Sequence, residues 1–532
     1  MLRRVSTNFK IIQFEYFIMI NRYTNLLKFK VSHTTFCILF STVSFIVCNA
    51  LNIGRTSKWF YLKNKFDFAG ISAFYLIGLF LSIAVFTLFS HRRTIKPLAI
   101  FFTIMSGFST YFIVKYNVAI DKSMIMNAIN TDPAEVQGLL SFQMIPYFLF
   151  LIALPIAMIY FIQITFASTL KYLLRSITLF TFSIIFALGL LYAQFDSIHR
   201  AGNMSQKYIL HQLIPVNHTQ SIIAIIQKQI ENILPNRDKK VIEILAQTTS
   251  QDDLVVVLAI GESARQKNFS IYGYTRQNTN PVLSKDKNLH ILNGVAKYGS
   301  TLYALPEILL KQNVSLATIT AQAGINSSCY ANFSLYDNCG TVEQIRVSNC
   351  AHEGKCYDED VIPLLHDNLN SYISGQRFIV LHLGGGSHGP DYQKRIPSEF
   401  YRFQPMCNDA DIVNKCTTDE LYNSYDNTIL YTDFVLGNII NELDKSSVPY
   451  VFIYISDHGE SLMENDRVFH GMPPGIPLPP EQKQVPLIIK SSITLAIDKR
   501  EEYLQPDVFD SILDLFDIES NISDNAGSFL KK

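Results

Sequence analysis

Two short clusters place metal-binding side chains directly behind apolar runs: Gly261-Glu262-Ser263-Ala264-Arg265 and Ser456-Asp457-His458-Gly459-Glu460. Carboxylate and imidazole are ligand types that suit zinc, and three such ligands leave a fourth position open for chemistry. Glu262, Asp457 and His458 are therefore the candidate ligands. Hydroxyls stand in Tyr298-Gly299-Ser300-Thr301-Leu302, ahead of Pro306. A hydroxyl is a weak nucleophile until a base or a metal activates it, and position alone does not choose between Ser300 and Thr301. A further loop, Gly384-Gly385-Gly386-Ser387-His388-Gly389-Pro390, contains a literal G-x-G-x-x-G. The dinucleotide reading fails because that fingerprint must open a helix, whereas Pro390 follows here and no apolar helical period begins. Its glycines fit a backbone that approaches a bound group while presenting His388. His470, in Phe469-His470-Gly471-Met472-Pro473, is a second candidate. Each cluster alone has a plainer explanation as a helix cap, a turn or a solvated loop. Their joint placement argues for one site.

The elements that must hold these clusters are strands. The runs Leu254–Ile260, Phe378–Leu383, Tyr450–Ile455 and Val485–Ile489 have strand length and alternate with helical stretches, which predicts an α/β domain. Ligands in such sheets bind outside the carboxyl ends of the strands. The first three runs each end in a polar cluster, so three distant loops are expected to converge.

The rest of the chain is of a different kind. Hydrophobic residues make up 48% of the 532 and charged ones 17%, too apolar for one soluble body and excluding disorder. The net charge of zero hides a split. Residues 1–200 carry 18 Lys/Arg against 6 Asp/Glu, the remainder 27 against 39, and neither half reads as a nucleic-acid binder. Five uncharged stretches, Thr34–Leu51, Ala69–Ser90, Pro97–Val114, Ser141–Leu170 and Ser176–Phe195, are each long enough to cross a bilayer. Arg3, Arg4, Arg92, Arg93, Lys171 and Arg175 place the N-terminus and the second and fourth loops in the cytoplasm, although Arg55, Lys58, Lys63 and Lys65 argue back. Five crossings then deliver everything after Phe195 to the outer face. The expected organisation is a five-helix transmembrane domain over 1–199, an amphipathic linker over 200–249 and a catalytic α/β domain over 250–532. The linker stretch Gln220–Leu234 has helical spacing and would lie on the membrane surface or pack on the α/β domain. Cys329/Cys339, Cys350/Cys356 and Cys407/Cys416 pair most simply in sequence, and an exported domain favours disulfides over thiolate zinc sites.

These residues resemble the phosphoethanolamine–lipid A transferase family, which includes the mobile colistin-resistance enzymes. The motifs are GESAR with FSIYGYTRQNTNPVL, then SHGPDYQKRIPSEFYRFQPMC, YNSYDNTILYTDFVL, ISDHGESLMEN and HGMPP, in family order. The resemblance implies an α-helical membrane domain of five transmembrane helices and a periplasmic domain of alkaline phosphatase/sulfatase-like fold, anchored in the inner membrane. It implies Glu262, Thr301, Asp457 and His458 as zinc ligands, Thr301 as the nucleophile, and His388 and His470 on the phosphoryl group or a second zinc. Asn127, Thr131 and Glu135, in the outer loop Lys115–Leu140, match residues of the donor-lipid pocket. The implied reaction moves phosphoethanolamine from phosphatidylethanolamine to lipid A or the lipopolysaccharide core, by a monomer. The chain departs from the family in having Tyr298 and Glu307 where a cysteine pair flanks the nucleophile, and in its Cys329/Cys339 pair. A phosphoglycerol transferase of the lipoteichoic-acid-synthase type is the alternative. A sulfatase fits less well, because the nucleophile loop lacks the Cys/Ser-x-Pro-x-Arg motif. A binding protein with a decayed site is disfavoured by the intact Glu262, Thr301, Asp457 and His458.

Overall fold

The computed structural model describes residues 29–532 except 63–64, 119, 131–141, 206–207, 234–242, 333–334, 336, 349, 351–354, 385–386 and 410; at 62, 127–130, 220, 224 and 228–233 it describes the backbone alone. The chain forms two compact units. The first gathers the described residues within 1–115, 120–122 and 142–230, the second those within 116–119, 123–141 and 231–532.

Five helices are long and apolar enough to cross a membrane: α1 (His33–Ala50), α2 (Phe68–Phe89), α3 (Ile95–Tyr116), α4 (Met144–Phe161) and α5 (Thr169–Ala193). The two shortest, at 18 residues each, are about 27 Å long at about 1.5 Å per residue. Polar caps start two of them. Ser32 Oγ accepts from the Thr35 amide (3.2 Å) and Asp67 Oδ1 from the Gly70 amide (2.8 Å). Leu39, Val43 and Ile46 on α1 and Ile177, Ile185 and Leu188 on α5 are exposed, a surface that lipid covers at low cost. Two boundaries differ from the sequence reading. The fourth apolar stretch stops being helical at Phe161, because Gln163–Thr165 pairs in parallel with Lys30–Ser32. The fifth helix begins at Thr169, so Lys171 and Arg175 occupy its first two turns rather than a loop. Long cationic side chains at a helix end reach the interface, so a spanning helix tolerates them there.

The amphipathic stretch after α5 is divided between the two units. Residues 208–221 pack into the helical unit through buried amides that replace water at otherwise orphaned backbone groups. Asn49 Nδ2 donates to the Ile214 carbonyl (2.6 Å) and its Oδ1 accepts from the Ile214 amide (3.1 Å). Asn52 Nδ2 donates to Gln212 Oε1 (3.1 Å), and Asn217 Nδ2 donates to the carbonyls of Ile120 (3.2 Å) and His211 (2.9 Å).

The second unit is built on an eight-stranded sheet: β1 (Leu254–Gly261), β2 (His290–Val295), β3 (Asn326–Ala331), β4 (Gln344–Arg346), β5 (Gln376–His382), β6 (Tyr450–Ser456), β7 (Gln484–Ser491) and β8 (Tyr503–Leu504). Their order is β4-β3-β5-β1-β6-β7-β2-β8, with β7 antiparallel to both neighbours and every other pair parallel. The run LVVVLAIG of β1 is buried at every position, as a central parallel strand covered on both faces requires. Ile260 pairs with His382 of β5 and with Ile455 of β6. The carboxyl ends of these three strands are therefore level, and their loops emerge side by side. Helices α6 (Thr301–Leu309) and α8 (Gln505–Leu515) contribute Leu305, Ile308, Val508 and Ile512 to the core under the sheet. The 28-residue α7 (Thr418–Lys445) starts at a capping box in which Thr417 and Glu420 bond reciprocally.

All four strands expected from the sequence are present. The other four went unseen because polar or short runs such as NSSCYA (β3) lack apolar continuity. The three sequential cysteine pairs are disulfides, and Cys329–Cys339 lies within the hydrophobic core. Cys37 and Cys48 are free and buried. Protein denatured without reductant should therefore titrate two thiols, and eight after reduction. More than two before reduction, in protein expressed with its native export, would mean that the three bridges do not form in the cell.

Candidate active site

Thr301 is the first residue of α6, and the extended Ser300 (φ −153°, ψ 130°) precedes it. This geometry turns the threonine hydroxyl toward the ends of β1 and β6. Thr301 Oγ1 donates to Glu262 Oε2 at 2.9 Å and lies 3.3 Å from His458 Nε2. His458 Nε2 is 3.6 Å from Glu262 Oε1 and 3.2 Å from Asp457 Oδ2. Four donor atoms from three distant segments thus face one point.

The loops that aim them are tightly specified. Ser263 has left-handed backbone (φ 57°), a strained state for a residue with a side chain. The strain is offset because its amide donates to Asp457 Oδ1 (2.9 Å), its hydroxyl to Glu262 Oε1 (2.8 Å), and its carbonyl accepts from the Tyr425 hydroxyl (2.8 Å). Asp457 Oδ1 also accepts the His458 amide at 2.7 Å. His458 Nδ1 donates to the Gly459 carbonyl at 3.0 Å, which leaves the lone pair of a neutral ring on Nε2. Gly459 is required where it stands, because a Cβ there would meet the Glu481 carbonyl at 2.1 Å.

These atoms fit a divalent cation. Asp457 Oδ2 is buried without a hydrogen-bond partner, and Glu262 and Asp457 are only 5% and 0% exposed. Two buried carboxylates side by side cost several kcal/mol unless a positive charge balances them. Arg265 does not do so. Its fully buried guanidinium donates through Nη1 to the Glu460 carbonyl (3.2 Å) and to Glu464 Oε1 (2.7 Å), and through Nε to Asn268 Oδ1 (2.5 Å). Burial works against that charge, and Glu464 with the Tyr425 and Tyr422 rings more than offsets it.

A second cluster adjoins the first. His388, Glu460 and His470 bring ligand atoms within 4.8 Å of one another, and His470 also groups with Glu262 and His458. The His470 ring lies 4.6 Å from that of His388 and 4.3 Å from that of His458, centroid to centroid. Glu460 Oε2 accepts from His470 Nδ1 at 2.7 Å; its Oε1 accepts from the Gly389 amide and the Tyr392 hydroxyl, both at 3.3 Å. Burial raises the Glu460 carboxyl to about 7, against the pull of His388 and His458. Phe469, also left-handed (φ 65°), packs its ring 5.1 Å from that of Tyr116. Its edge fills the space beside Gly389, where a Cβ would meet Phe469 Cε1 at 2.6 Å.

The structure thus brings Glu262, Thr301, Asp457, His458, His388 and His470 together. Thr131 and Glu135 lie outside the described residues, and Asn127, on the helix Lys122–Asn130, has a described backbone alone. Sequence reasoning passed over Glu460, Ser263 and Tyr392. Glu460 had a local signal, since it stands two residues after His458 in the same loop. Ser263 and Tyr392 had none, because their roles depend on partners more than 60 positions away.

Comparisons with known proteins find relatives of both units. A sulfatase family model matches residues 255–518, and a model described as phosphoethanolamine transferase EptA/EptB matches residues 78–230. The chain is 30% identical over 490 residues to phosphoethanolamine transferase EptA of Escherichia coli K12, covering 84% of this chain and 87% of that one. It is 27% identical over 438 residues to the Kdo(2)-lipid A phosphoethanolamine 7''-transferase of the same organism, covering 75% of each. The solved integral membrane lipooligosaccharide phosphoethanolamine transferase A from Neisseria meningitidis shares the fold. Its TM-score is 0.81 at 23% identity, covering 93% of this chain and 97% of that one. The second unit therefore has the sulfatase/alkaline phosphatase-like fold.

Elemental analysis of purified protein tests the donor set. Asp457→Ala and His458→Ala should each lower bound divalent metal by at least about tenfold, while the protein stays folded and membrane-inserted. Full metal occupancy in both variants would show that these side chains hold no ion.

Proposed function

The chain belongs to the phosphoethanolamine transferase family, and on that premise we propose that it transfers phosphoethanolamine from phosphatidylethanolamine to lipid A or the lipopolysaccharide core. It works as a monomer in the inner membrane, with the second unit in the periplasm. The observation that carries the reading is the convergence of Thr301 Oγ1 on Glu262, Asp457 and His458 at the level ends of β1 and β6.

In the first step Thr301 Oγ1 attacks the donor phosphorus. An O–P bond forms, the bond to diacylglycerol breaks, and the hydroxyl proton passes to the side of Glu262 Oε2, which already accepts it at 2.9 Å. Thr301 opens a helix of nine residues, so the positive end of the helix dipole faces the anionic phosphoryl group. His388 and His470 bind the phosphoryl oxygens and return a proton to the diacylglycerol oxygen. Glu460 holds His470 Nδ1 and so presents Nε2 to the phosphoryl group. In the second step an acceptor O–H attacks the phosphothreonine diester and gives its proton to the histidine that protonated diacylglycerol; a new O–P bond forms, the bond from phosphorus to Thr301 Oγ1 breaks, and Oγ1 regains its proton from Glu262. When bound by Glu262, Thr301, Asp457 and His458, zinc supplies Lewis-acid charge that activates the hydroxyl and offsets charge on the phosphoryl oxygens, and a second zinc would have His388, Glu460 and His470 as its residues. Asn127, Thr131 and Glu135 bind the donor headgroup, with Glu135 providing the negative charge for the ammonium.

Intact-protein mass spectrometry after incubation with phosphatidylethanolamine should find a phosphoethanolamine adduct on Thr301. The adduct should vanish in Thr301→Ala and persist in Ser300→Ala; an adduct on Ser300 would reverse the assignment. Glu135→Ala should lower transfer strongly at limiting phosphatidylethanolamine while metal content stays at the wild-type level. Wild-type transfer rates in that variant would remove the carboxylate from donor use.

A further inference from the structure

Gln482 has no part in the reaction above, yet it touches the loops that carry His458, His470 and Thr301. It stands on the short helical turn Pro480–Lys483, directly before β7, and is 2% exposed. Its backbone carbonyl accepts the Gly459 amide at 2.9 Å, next to His458. Its side-chain Nε2 donates to Ser461 Oγ at 2.9 Å and to the Phe469 carbonyl at 3.1 Å. Ser461 and Phe469 face each other in a two-stranded antiparallel ribbon, Ser461–Leu462 with Val468–Phe469. Glu460 immediately precedes this ribbon and His470 immediately follows it. The amide therefore closes the neck of the ribbon where Glu460 Oε2 meets His470 Nδ1 at 2.7 Å.

A backbone carbonyl only accepts, so the amide must turn its nitrogen to Phe469 and its oxygen the other way. That oxygen faces the nucleophile loop. A Cβ at Gly299, two residues before Thr301, would meet Gln482 Oε1 at 2.8 Å. Oε1 itself is buried without a hydrogen-bond partner. The tip of a long side chain ordinarily gives way to a new methyl group. This one is held by the two hydrogen bonds of its own amide nitrogen. The other neighbours of that Cβ are the flexible end of Leu478 at 3.0 Å and the Met472 amide nitrogen at an ordinary 3.6 Å. The Gly299 backbone is not left-handed, so space rather than conformation calls for glycine there.

We propose that Gln482 is a positioning residue that sets the Thr301 nucleophile against the Glu460–His470 pair, and that Gly299 is glycine to admit its amide oxygen. This rests on the transferase reading above and adds what aligns the attacking hydroxyl with the imidazole of His470. A misplacement of reacting groups by about 1 Å can cost about a hundredfold in rate, so one rigid amide between the two loops matters to the chemistry.

The test is a double-mutant cycle on full-length protein, with the Thr301 adduct followed by intact mass at saturating phosphatidylethanolamine. Gln482→Ala and Gly299→Ala should each lower the rate constant of adduct formation by about tenfold or more. The final adduct yield and the bound metal should match wild type, because every molecule is folded and only slower. A purely structural defect would lower the yield instead. In the Gln482→Ala background, Gly299→Ala should cost less than about twofold further, because the oxygen that its Cβ would meet is gone. Wild-type rates in Gln482→Ala would overturn the proposal. So would losses from Gly299→Ala that are equal in both backgrounds, or a fall in yield or metal that accounts for the slower rate. Wild-type protein that forms no adduct would instead overturn the transferase reading. The same cycle on hydrolysis of bis(p-nitrophenyl) phosphate, a soluble phosphodiester, then decides the positioning role, with the same pattern of rates expected and the same results overturning it. Wild-type protein without either activity would overturn both readings.

Discussion

The second unit is organised around uncompensated negative charge. Glu262 and Asp457 are buried next to each other, and the buried guanidinium of Arg265 is turned away toward Glu464 and the Glu460 carbonyl. Asp457 spends one oxygen on two backbone amides and leaves the other without a hydrogen bond. A folded protein tolerates such a pair only when a cation completes it or when the group serves chemistry that repays the cost. The Gly459 carbonyl fixes the His458 ring through Nδ1, so that Nε2 faces Glu262 and Thr301, and the threonine hydroxyl arrives from a helix start. The fold itself thus holds these side chains in place, and the left-handed Ser263 is part of the same arrangement.

What allows this concentration of charge is the sheet beneath it. Ile260, His382 and Ile455 share one register across β5, β1 and β6. Three loops far apart in the chain therefore begin at the same height. A slip of one residue in either pairing would turn the side chains of that strand to the opposite face and break the site. The uniformly buried β1, with α6 and α8 packed beneath it, makes such a slip costly. Stability and chemistry share an element here: α6 buries Leu305 and Ile308 in the core and presents Thr301 at its first residue.

The histidine cluster is supported in another way. His470 follows a left-handed Phe469 whose ring touches Tyr116 and fills the space beside Gly389. Tyr116 is the last residue of α3 yet belongs to the catalytic unit. Tyr116 thereby packs against the residue that precedes His470.

Much of this protein was legible in its sequence because the signals are local. Uncharged runs of spanning length gave all five membrane helices, apolar runs gave the four central strands, and cysteines spaced by six to ten residues gave the disulfides. The clusters around Glu262, His388 and Asp457 stood out because functional groups collect behind strand ends. Other features required the folded chain. Whether Ser300 or Thr301 faces the carboxylates depends on the turn into α6 and on partners 39 and 157 positions away. β3 is polar in sequence and becomes a strand only because β5 offers it a parallel edge. The packing of residues 208–221 against the helices rests on Asn49 and Asn52, some 160 residues earlier. Glu460 gains its place from His470 and Tyr392, which bond its two oxygens. Sequence determines what each short segment can become, through propensity and apolar period. Which segments meet is decided by register and burial across the whole domain, where each contact is stabilised by others far along the chain.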